Sequence, residues 1–251
     1  MIKLKNIEVT FNKNTQNKQT LFKKLNLEIR NGEFIIIMGD NGAGKSTLIN
    51  LISGGVIQEK GKVIINGKDV SKQKEYVRAR MIARVFQDPQ MGTCSNMTVR
   101  ENLSIAFNKI NGYSLKRGVK KSNDKYFKQI LSELGLGLEN FLDKQTKDLS
   151  GGQRQALSLI MAMISKPKLL LLDEHTAALD PEMAKIVLEK TDKIIKEHKL
   201  TAAMITHSIP AAIKYGNRLI FIRDGEIIFD INGKEKECLT PEKIVKYYKK
   251  V

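Results

Sequence analysis

The fold of this chain is decided by the stretch Gly39-Asp40-Asn41-Gly42-Ala43-Gly44-Lys45-Ser46-Thr47. The apolar, β-branched run at residues 34–38 predicts a buried strand before it, and residues 46–52 predict the first turns of a helix after it. Strand, glycine-rich loop and helix in this order form a phosphate cradle, because glycines let backbone N–H groups approach an anion and the helix dipole adds positive charge. A tight glycine turn with an incidental Lys-Ser pair is the alternative, and both flanking elements favour the cradle.

Phosphate chemistry assigns roles to individual side chains. Lys45 would reach the β- and γ-phosphates of a nucleotide, and the Ser46 hydroxyl would hold Mg²⁺. Far downstream, the apolar run at residues 169–172 predicts a strand that ends in Asp173 and Glu174. Asp173 could order water around Mg²⁺, and Glu174 could polarise an attacking water. A capping pair at a strand–loop junction is the alternative, and the phosphate loop upstream favours the catalytic interpretation.

Bulk composition is that of a soluble globular protein. The 251 residues are 41% hydrophobic and 28% charged, and no apolar run approaches the roughly 20 residues of a membrane span. Residues 1–9 alternate like a strand and lack the apolar region of a signal peptide, so we expect that the chain neither spans a membrane nor is exported by that route. Cys94 and Cys238 are isolated, which indicates neither a disulfide framework nor a zinc site and fits a reducing cytosol.

The chain is strongly basic. Its net charge is +16, from 43 Lys and Arg against 27 Asp and Glu. Nucleic-acid binding, work beside an anionic membrane face and a lysine-rich solvated surface are the open interpretations. No aromatic residues interleave with the basic ones, and no zinc-finger or RNP-like motif is present. We therefore expect no nucleic-acid partner.

The order of predicted elements indicates one α/β domain with an insertion. Strands at 2–11 and 25–29 precede the phosphate loop, and strands at 61–67, 169–172 and 201–206 follow it. Residues 99–107, 124–134 and 138–142 have helical spacing of apolar residues. Asp180 and Pro181 suit the N-cap and first turn of a helix that reaches about residue 198. Residues 219–223 and 226–231 predict a hairpin about Asp224-Gly225, and residues 241–250 a closing basic helix.

These elements predict an α/β P-loop NTPase fold with a RecA-like core and a parallel sheet. An antiparallel β subdomain precedes the core, and an α-helical subdomain is inserted in it. We assign the single domain to residues 1–251, with the core at 1–88 and 160–251 and the helical subdomain at 89–159.

Other candidate site residues carry weaker signals. Ser150, Gly151 and Gly152 before a helix could bind an anion or serve as a simple N-cap. His207 follows a predicted buried strand, where a ligand would meet it. Phe11 could stack on an adenine ring or pack in the core. Gln87, at a strand end before Pro89, could reach a metal or water or be an ordinary loop residue.

The ordered set of motifs resembles the ATP-binding subunit of ABC transporters over essentially the whole chain. The set comprises the phosphate loop, Gln87, the signature segment (residues 149–153, Leu-Ser-Gly-Gly-Gln), Asp173-Glu174 and His207. The resemblance implies ATP and Mg²⁺ as cofactors. It implies that the residues that bind ATP are Phe11, Gly39, Asp40, Asn41, Gly42, Ala43, Gly44, Lys45, Ser46, Thr47 and Gln87.

The resemblance also implies catalytic and metal roles. Catalysis would fall to Glu174 as general base, His207 as sensor of the γ-phosphate and Lys45. Mg²⁺ would be held by Ser46, Gln87 and Asp173. The signature residues Ser150, Gly151, Gly152 and Gln153 would act in trans on the ATP of a second copy, and Asp180 would communicate across that dimer.

The family's partners follow in the same way. Two copies would join head-to-tail around ATP at the cytoplasmic face of the cell membrane. A separate integral membrane permease would dock at residues 87–100, and an extracellular lipoprotein receptor would belong to the same system. His175 stands where the family usually has Pro, and Ala177 where Ser is common. Together with residues 86–93, these departures resemble bacterial uptake systems assigned to tryptophan or tyrosine, which favours an importer.

Other functions of the same fold remain as alternatives. A non-transport ABC ATPase could serve cluster assembly, translation or DNA repair. The single cassette argues against translation factors, and the short segment at 87–149 lacks the heptads of repair ATPases. An inactive nucleotide-binding module is disfavoured by intact Lys45, Asp173, Glu174 and His207.

Overall fold

The computed structural model of the chain describes residues 1–111 and 118–249. The backbone divides into two compact units, the first formed by Met1–Ile82 with Lys199–Val251 and the second by Ala83–His198. The helical insertion predicted at residues 89–159 falls within the sequence of the second unit, and its residues 112–117 lie outside the described residues.

The bounds of the elements in the described residues are as follows. The strands are β1 (Ile2–Phe11), β2 (Gln19–Ile29), β3 (Phe34–Gly39), β4 (Lys60–Ile65), β5 (Lys68–Asp69), β6 (Ile82–Val85), β7 (Leu169–Asp173), β8 (Ala202–Ile205), β9 (Arg218–Arg223) and β10 (Glu226–Asn232). The helices are α1 (Lys45–Ser53), α2 (Glu75–Arg78), α3 (Val99–Asn111), α4 (Asp124–Ser132), α5 (Gly151–Ile164), α6 (Pro181–Glu197), α7 (Ile209–Lys214), α8 (Gly233–Glu237) and α9 (Pro241–Lys249).

The first unit contains an antiparallel sheet in the order β2-β1-β4-β5. Strand β1 lies in its centre, with Leu4 opposite Leu27 of β2 and Val63 of β4. These three side chains are buried, whereas Lys3 and Lys5, the neighbours of Leu4 along β1, are more exposed. One apolar face and one solvated face are typical of an antiparallel sheet that covers a core from one side. The N-terminal antiparallel subdomain is therefore confirmed.

Strand β3 is the centre of the parallel part of the first unit. It pairs in parallel with β8 on one side and β9 on the other, and Ile36 lies opposite both Met204 and Leu219. Every residue of β3 is buried, which explains why the strand reads as a continuous apolar run and not as an alternation. Parallel strands end at the same edge of a sheet, so the carboxyl ends of β3 and β8 deliver their following loops to one place.

A buried arginine closes the far end of the phosphate-loop helix. Arg78 is fully buried, and its guanidinium donates to the backbone oxygens of Leu51 (2.7 Å) and Ile52 (3.1 Å) in the last turn of α1. These carbonyls have no partner within an α-helix, so the guanidinium satisfies both its own buried donors and the helix end. Burial lowers the pKa of Arg78. Sequence reasoning did not find this residue.

The second unit is mainly helical. Helix α5 packs against α3, α4 and α6, and β6 lies beside β7, whose residues Leu169 to Leu172 are buried. Phe107 of α3 meets Phe127 of α4 edge-on, with 5.9 Å between ring centroids. The buried Asn102 side chain accepts from the Cys94 backbone N–H (2.7 Å) and donates to Thr146 Oγ1 (2.9 Å). These contacts fix the loops around α3 to the helices.

The strong local signals of the sequence are found where they were predicted. The hairpin forms β9 and β10, and α6 begins at Pro181 with Asp180 as its N-cap. Weak signals were less reliable. Residues 138–142, for which a helix is predicted, form only a 3-10 turn at Leu138–Asn140. The polar residues 72–81 contain only the short helix α2. Tyr76 of α2 is 71% exposed, so the segment has little apolar surface with which to pack a longer helix.

Candidate functional site

The phosphate loop leaves β3 through a glycine that no other residue could replace. Gly39 has φ 150°, and a Cβ at this position would lie 2.0 Å from the backbone oxygen of Ile222 in β9. Gly44, with φ 104°, is the N-cap of α1, and its added Cβ would lie 3.0 Å from the Phe22 ring. The loop therefore adopts a conformation that L-residues rarely reach, and it begins α1 with glycine in place of a capping side chain.

Lys45 lies buried inside the curve of this loop. Its side chain is 6% exposed, and Nζ donates to the backbone oxygens of Gly39 (2.9 Å) and Asp40 (2.7 Å). The loop's own carbonyls thus fix the ammonium group over the start of α1, where the helix dipole also favours negative charge. The next residue, Ser46, is exposed in the first turn. This is the arrangement expected for a cradle that receives a phosphate chain.

Asp40 places a carboxylate in the phosphate loop. Arg223, the last residue of β9, donates from Nε to Asp40 Oδ2 (3.0 Å) and from Nη2 to the backbone oxygen of Tyr248 in α9 (3.1 Å). Burial and, to a smaller extent, the Asp40 charge raise the pKa of the Tyr248 phenol. The Arg223 guanidinium thus offsets the negative charge that Asp40 places in an anion-binding loop. Sequence reasoning missed both partners.

His207 lies at the same edge of the sheet as the phosphate loop. It follows β8 by two residues, and Ile205 pairs with Ile37, which precedes Gly39 by two residues. Its side chain is exposed. The neighbouring Ser208 hydroxyl accepts from the Ala211 N–H (3.3 Å) and caps α7. The first unit therefore brings together the phosphate loop and His207.

Phe11 is the last residue of β1, and 38% of its surface is exposed. Such exposure disfavours the core-packing interpretation of Phe11.

Asp173 and Glu174 lie at the end of β7 in the second unit. Asp173 Oδ2 accepts from Nη2 of Arg84 at 2.6 Å, and both side chains are about one-sixth exposed, at 15% and 16%. Glu174 has φ 46°, a left-handed conformation that is uncommon for glutamate. Backbone strain of this kind clusters at functional sites. The left-handed conformation of Glu174 turns the chain sharply after β7. The Ala177 N–H donates to the Glu174 backbone oxygen (2.9 Å) and closes this turn.

The signature segment begins α5 with a complete capping box. Ser150 Oγ accepts from the Gln153 N–H (3.2 Å), and Gln153 Oε1 accepts from the Ser150 N–H (3.2 Å). Ser150 and Gly151 are exposed. Gly152 is buried, and a Cβ there would lie 2.4 Å from Cγ of Met183 in α6. Ser150 and Gln153 thus act as an N-cap in this chain, as the simpler interpretation of the motif predicted.

The remaining predicted residues of the second unit lie at element boundaries. Gln87 is exposed just after β6, next to Phe86, whose backbone oxygen accepts from Gln155 Nε2 at 3.1 Å. Asp180 accepts from the Met183 N–H at 3.0 Å as the N-cap of α6. The roles of Gln87, Asp180, Asp173, Glu174 and the signature residues are not decided by these contacts and stay predictions.

The residues predicted to hold Mg²⁺ carry oxygen donors, which suit this ion only together with nucleotide oxygens. The exposed Ser46 hydroxyl, the Gln87 amide and the Asp173 carboxylate are hard oxygen donors of the kind that Mg²⁺ prefers. Over the ranges 1–111 and 118–249, no group of three or more His, Cys, Asp or Glu could hold a metal ion by itself. Mg²⁺ usually keeps several waters and takes its other ligands from substrate phosphates, so a sparse donor set is suitable.

His175 follows the two carboxylates and is buried. Its imidazole Nε2 lies 3.3 Å from Thr191 Oγ1 of α6, and burial lowers the pKa of His175 to about 4. A neutral histidine at this position packs the turn after Glu174 onto α6.

Comparison with known proteins identifies the family. The ABC transporter family model matches residues 22–177. The chain belongs to the ABC transporter ATP-binding family. It is 45% identical over 249 residues to the tyrosine transport ATP-binding protein of Clostridioides difficile (strain R20291), covering 99% of this chain and 98% of that protein. It is 33% identical over 249 residues to the ABC transporter ATP-binding protein YxdL of Bacillus subtilis (strain 168), covering 98% and 92%.

Solved structures agree with this assignment. A dimeric ATP-binding cassette in a post-hydrolysis state with ADP and Pi matches with a TM-score of 0.78 and 29% identity, over 92% of this chain and 98% of that chain. The ABC ATPase fold predicted from the sequence is confirmed. The chain is the ATP-hydrolysing subunit of an ABC transporter and uses ATP with Mg²⁺.

In the part of the chain that the structure describes, no helix has the length and apolarity to cross a membrane.

Proposed function

We propose that this ATPase drives amino-acid uptake, with tyrosine or a closely related aromatic amino acid as cargo. The name of the 45% identical relative supports the substrate class, and the relative covers nearly the whole chain. The same subunit would work at the cytoplasmic face of the membrane with an integral permease and an extracellular lipoprotein receptor. The relatives named above are transporter subunits, and they give no support to the non-transport alternative.

The observation that carries the mechanism is the exposed start of α5. Ser150 and Gly151 present a hydroxyl and a helix N-terminus to solvent, yet their own hydrogen bonds serve only the helix cap. A helix N-terminus of this kind favours an anion. We therefore propose that the signature segment contacts the γ-phosphate of ATP held by the phosphate loop of a second copy. The dimeric state of the solved cassette supports this arrangement.

Each site would then combine residues of two chains. Lys45 and the loop residues 39–47 would hold the phosphates, and Ser46, Gln87 and Asp173 would surround Mg²⁺ with nucleotide oxygens and water. Glu174 would act on the attacking water, and His207 would contact the γ-phosphate. Mg²⁺ would supply charge neutralisation at the phosphates. Phe11 would stack on the adenine, a role that its exposed position permits.

Dimerisation gives the direct test of the two-chain site. A Glu174→Gln variant should retain ATP without hydrolysing it, so with ATP and Mg²⁺ it should elute at about twice the 28.3 kDa of one chain in size-exclusion chromatography with light scattering. The same variant carrying Ser150→Arg, which places a bulky cation at the exposed start of α5, should stay monomeric. A Glu174→Gln protein that remains monomeric with saturating nucleotide would contradict the two-chain site.

Docking of the permease is proposed at residues 87–100. Met91 is 68% exposed and Met97 is 40% exposed in this stretch, which follows Gln87 directly. Exposed methionines form adaptable apolar contacts, so they suit a partner helix from a membrane subunit. Replacing Met91 and Met97 by Ser should reduce co-purification of the membrane permease of the same transport system, while the basal ATPase activity of the isolated chain stays unchanged.

Cargo is tested in cells. In the source cells, replacing Glu174 by Gln should abolish ATP-dependent uptake of radiolabelled tyrosine, and a plasmid copy of the parent gene should restore it. Unlabelled tryptophan and phenylalanine in excess would measure how far the specificity extends among aromatic amino acids. Unchanged tyrosine and tryptophan uptake in the variant would overturn the proposed cargo and leave the ATPase assignment intact.

A further inference from the structure

The carboxylate proposed for Mg²⁺ is paired with an arginine from the neighbouring strand. Arg84 of β6 donates from Nη2 to Asp173 Oδ2 at 2.6 Å. Only 16% of the Arg84 side chain and 15% of the Asp173 side chain are exposed, so little water screens the pair. A short bond between ionised groups in a poorly solvated place is among the stronger polar interactions in a protein.

An aromatic ring holds the guanidinium in this position. Cζ of Arg84 lies 4.7 Å from the centroid of the ring of Phe86, the residue that follows β6. At this distance the guanidinium is attracted to the face of the ring. The Phe86 backbone oxygen is in turn fixed by Gln155 of α5 at 3.1 Å. Arg84 is thus supported on its aromatic side and bonded to Asp173 on the other.

This pair bears directly on metal binding. The guanidinium occupies lone pairs of Asp173 that would otherwise accept from magnesium-bound water, and its charge repels a second cation. If Asp173 serves Mg²⁺, the Arg84 guanidinium and the metal ion would compete for one carboxylate.

We propose that Arg84 is a positioning residue that holds Asp173 in an ion pair until Mg²⁺ and nucleotide displace it, and so sets the Mg²⁺ concentration that nucleotide binding requires. The inference rests on the Mg²⁺ role of Asp173 proposed above. It concerns binding in a single chain and does not depend on the dimer.

The test is a Mg²⁺ titration of nucleotide binding without turnover. Fluorescent mant-ADP is held at a fixed concentration with the full chain while Mg²⁺ is varied. Arg84→Met removes the charge and keeps much of the side-chain volume, so the half-saturating Mg²⁺ concentration should fall at least about tenfold, the scale of one charge-assisted hydrogen bond. Arg84→Lys keeps a cation near Asp173 but loses the planar guanidinium that packs on Phe86, so the half-saturating Mg²⁺ concentration should fall less than in Arg84→Met.

A matched control comes from the first unit. Arg218 forms a comparable ion pair in which Nη2 donates to Asp230 Oδ2 at 2.6 Å, with Nε also bonded to Asp230 and Nη1 to Glu33. Asp230 belongs to no proposed metal site, so Arg218→Met should lose stability without any change in the Mg²⁺ requirement. In thermal melts without nucleotide, Arg84→Met should also have a lower Tm than the parent. In melts with Mg²⁺ and ADP, the difference between the two Tm values should be smaller. Should Arg84→Met fail to fold, Arg84→Gln takes its place.

Failure of this inference is distinct from failure of the Asp173 role. Asp173→Asn should raise the half-saturating Mg²⁺ concentration if Asp173 serves the metal. An unchanged requirement in Asp173→Asn overturns the proposed metal role and this inference with it. A raised requirement in Asp173→Asn, together with an unchanged or raised requirement in Arg84→Met, overturns the competition alone.

Discussion

The phosphate loop and the signature segment both begin a helix with glycines and a hydroxyl-bearing residue, yet they treat the helix start in opposite ways. Gly44 is the N-cap of α1, and no side chain among the described residues caps that helix. Ser150 is the N-cap of α5, and its capping box satisfies N–H groups at the helix start. The loop also holds the buried Lys45 ammonium. One helix start is built to receive an anion, and the other is stable without one.

This difference indicates that the two helix starts contribute differently to nucleotide affinity and to completion of the ATP site. A loop with uncapped N–H groups and an ammonium supplies most of the binding free energy for phosphates. A self-capped segment is stable before an anion arrives, and its exposed N-terminus still favours an anion that a second chain brings. We therefore expect nucleotide affinity to follow the phosphate loop, and association of two chains to follow the signature segment.

The largest expected effect comes from removing the ammonium in the loop. Lys45→Ala should weaken mant-ATP binding at least about 100-fold, roughly 3 kcal/mol, because it deletes the cation that we propose faces the phosphates. Lys18→Ala, at an exposed position of the same unit, changes the net charge equally and should bind as the parent does. Fluorescence titration measures both. A loss below about threefold in Lys45→Ala would break the contrast between the two helix starts.

Acid should destabilise the unit that carries the signature segment. The pKa of His175 is lowered from 6.5 to about 4 by burial. Above pH 6.5 the imidazole is neutral in the folded and unfolded chains. As pH falls towards 4, only the unfolded chain takes up the proton, so about 3 kcal/mol of folding free energy is lost across this window.

Hydrogen exchange followed by mass spectrometry can localise this acid effect. Peptides of α6, which carries Thr191 against His175, should lose protection between pH 6.5 and 4 after correction for the intrinsic exchange rate. His198→Gln removes an exposed histidine and should leave this profile unchanged. Protection of α6 that is constant over the window would contradict a buried neutral imidazole.

Two adjacent glycines of the signature segment should differ in their effect on stability. Gly152→Ala brings Cβ within 2.4 Å of Met183 Cγ, whereas Gly151→Ala meets only Leu179 Cδ2 at an ordinary 3.7 Å. Gly152→Ala should lower the free energy of unfolding in urea by about 1–3 kcal/mol, the usual cost of overpacking. Gly151→Ala should leave it nearly unchanged and instead weaken the ATP-dependent dimer.

The cause of the Gly152 effect can be checked with a second substitution. Met183→Ala makes room for the added methyl group, so the double variant should lose less stability than the two single costs combined. If the losses in free energy of unfolding of the two single variants simply add in the double variant, the strain in Gly152→Ala does not come from contact with Met183.

The smallest expected effect concerns the cap itself. Ser150→Ala removes the hydroxyl that accepts from the Gln153 N–H and should cost about 1 kcal/mol in urea unfolding. Ser150→Gly should cost only a few tenths, because glycine is itself tolerated at an N-cap. Equal losses in the two variants would show that the capping bond contributes little to α5.

Sequence reasoning succeeded where the signal is local. Asp180 and Pro181 begin α6, and Asp224 and Gly225 form the turn between β9 and β10, because capping and turn chemistry act over a few residues. The continuous apolar run of β3 is likewise a local consequence of burial on both faces.

Contacts between distant residues could not be predicted in this way. Arg84 and Asp173 are 89 positions apart, and Arg223 and Asp40 are 183 apart. Each pair joins strand ends whose pairing is set by the whole sheet, so a single sequence carries no sign of the contact. Arg78 is a similar case, since one charged residue in a polar segment gives no hint that it is buried at the end of α1.

The central claim is that each ATP is held by the phosphate loop of one chain and the signature segment of another. Mixing Lys45→Ala protein with Ser150→Arg protein tests it, because neither variant has an intact site alone. In a mixed pair, the loop of the Ser150→Arg chain meets the signature segment of the Lys45→Ala chain, and one complete site results. Hydrolysis of radiolabelled ATP should return to about a quarter of the parent rate in an equal mixture. A mixture that stays as inactive as its two components would contradict the claim.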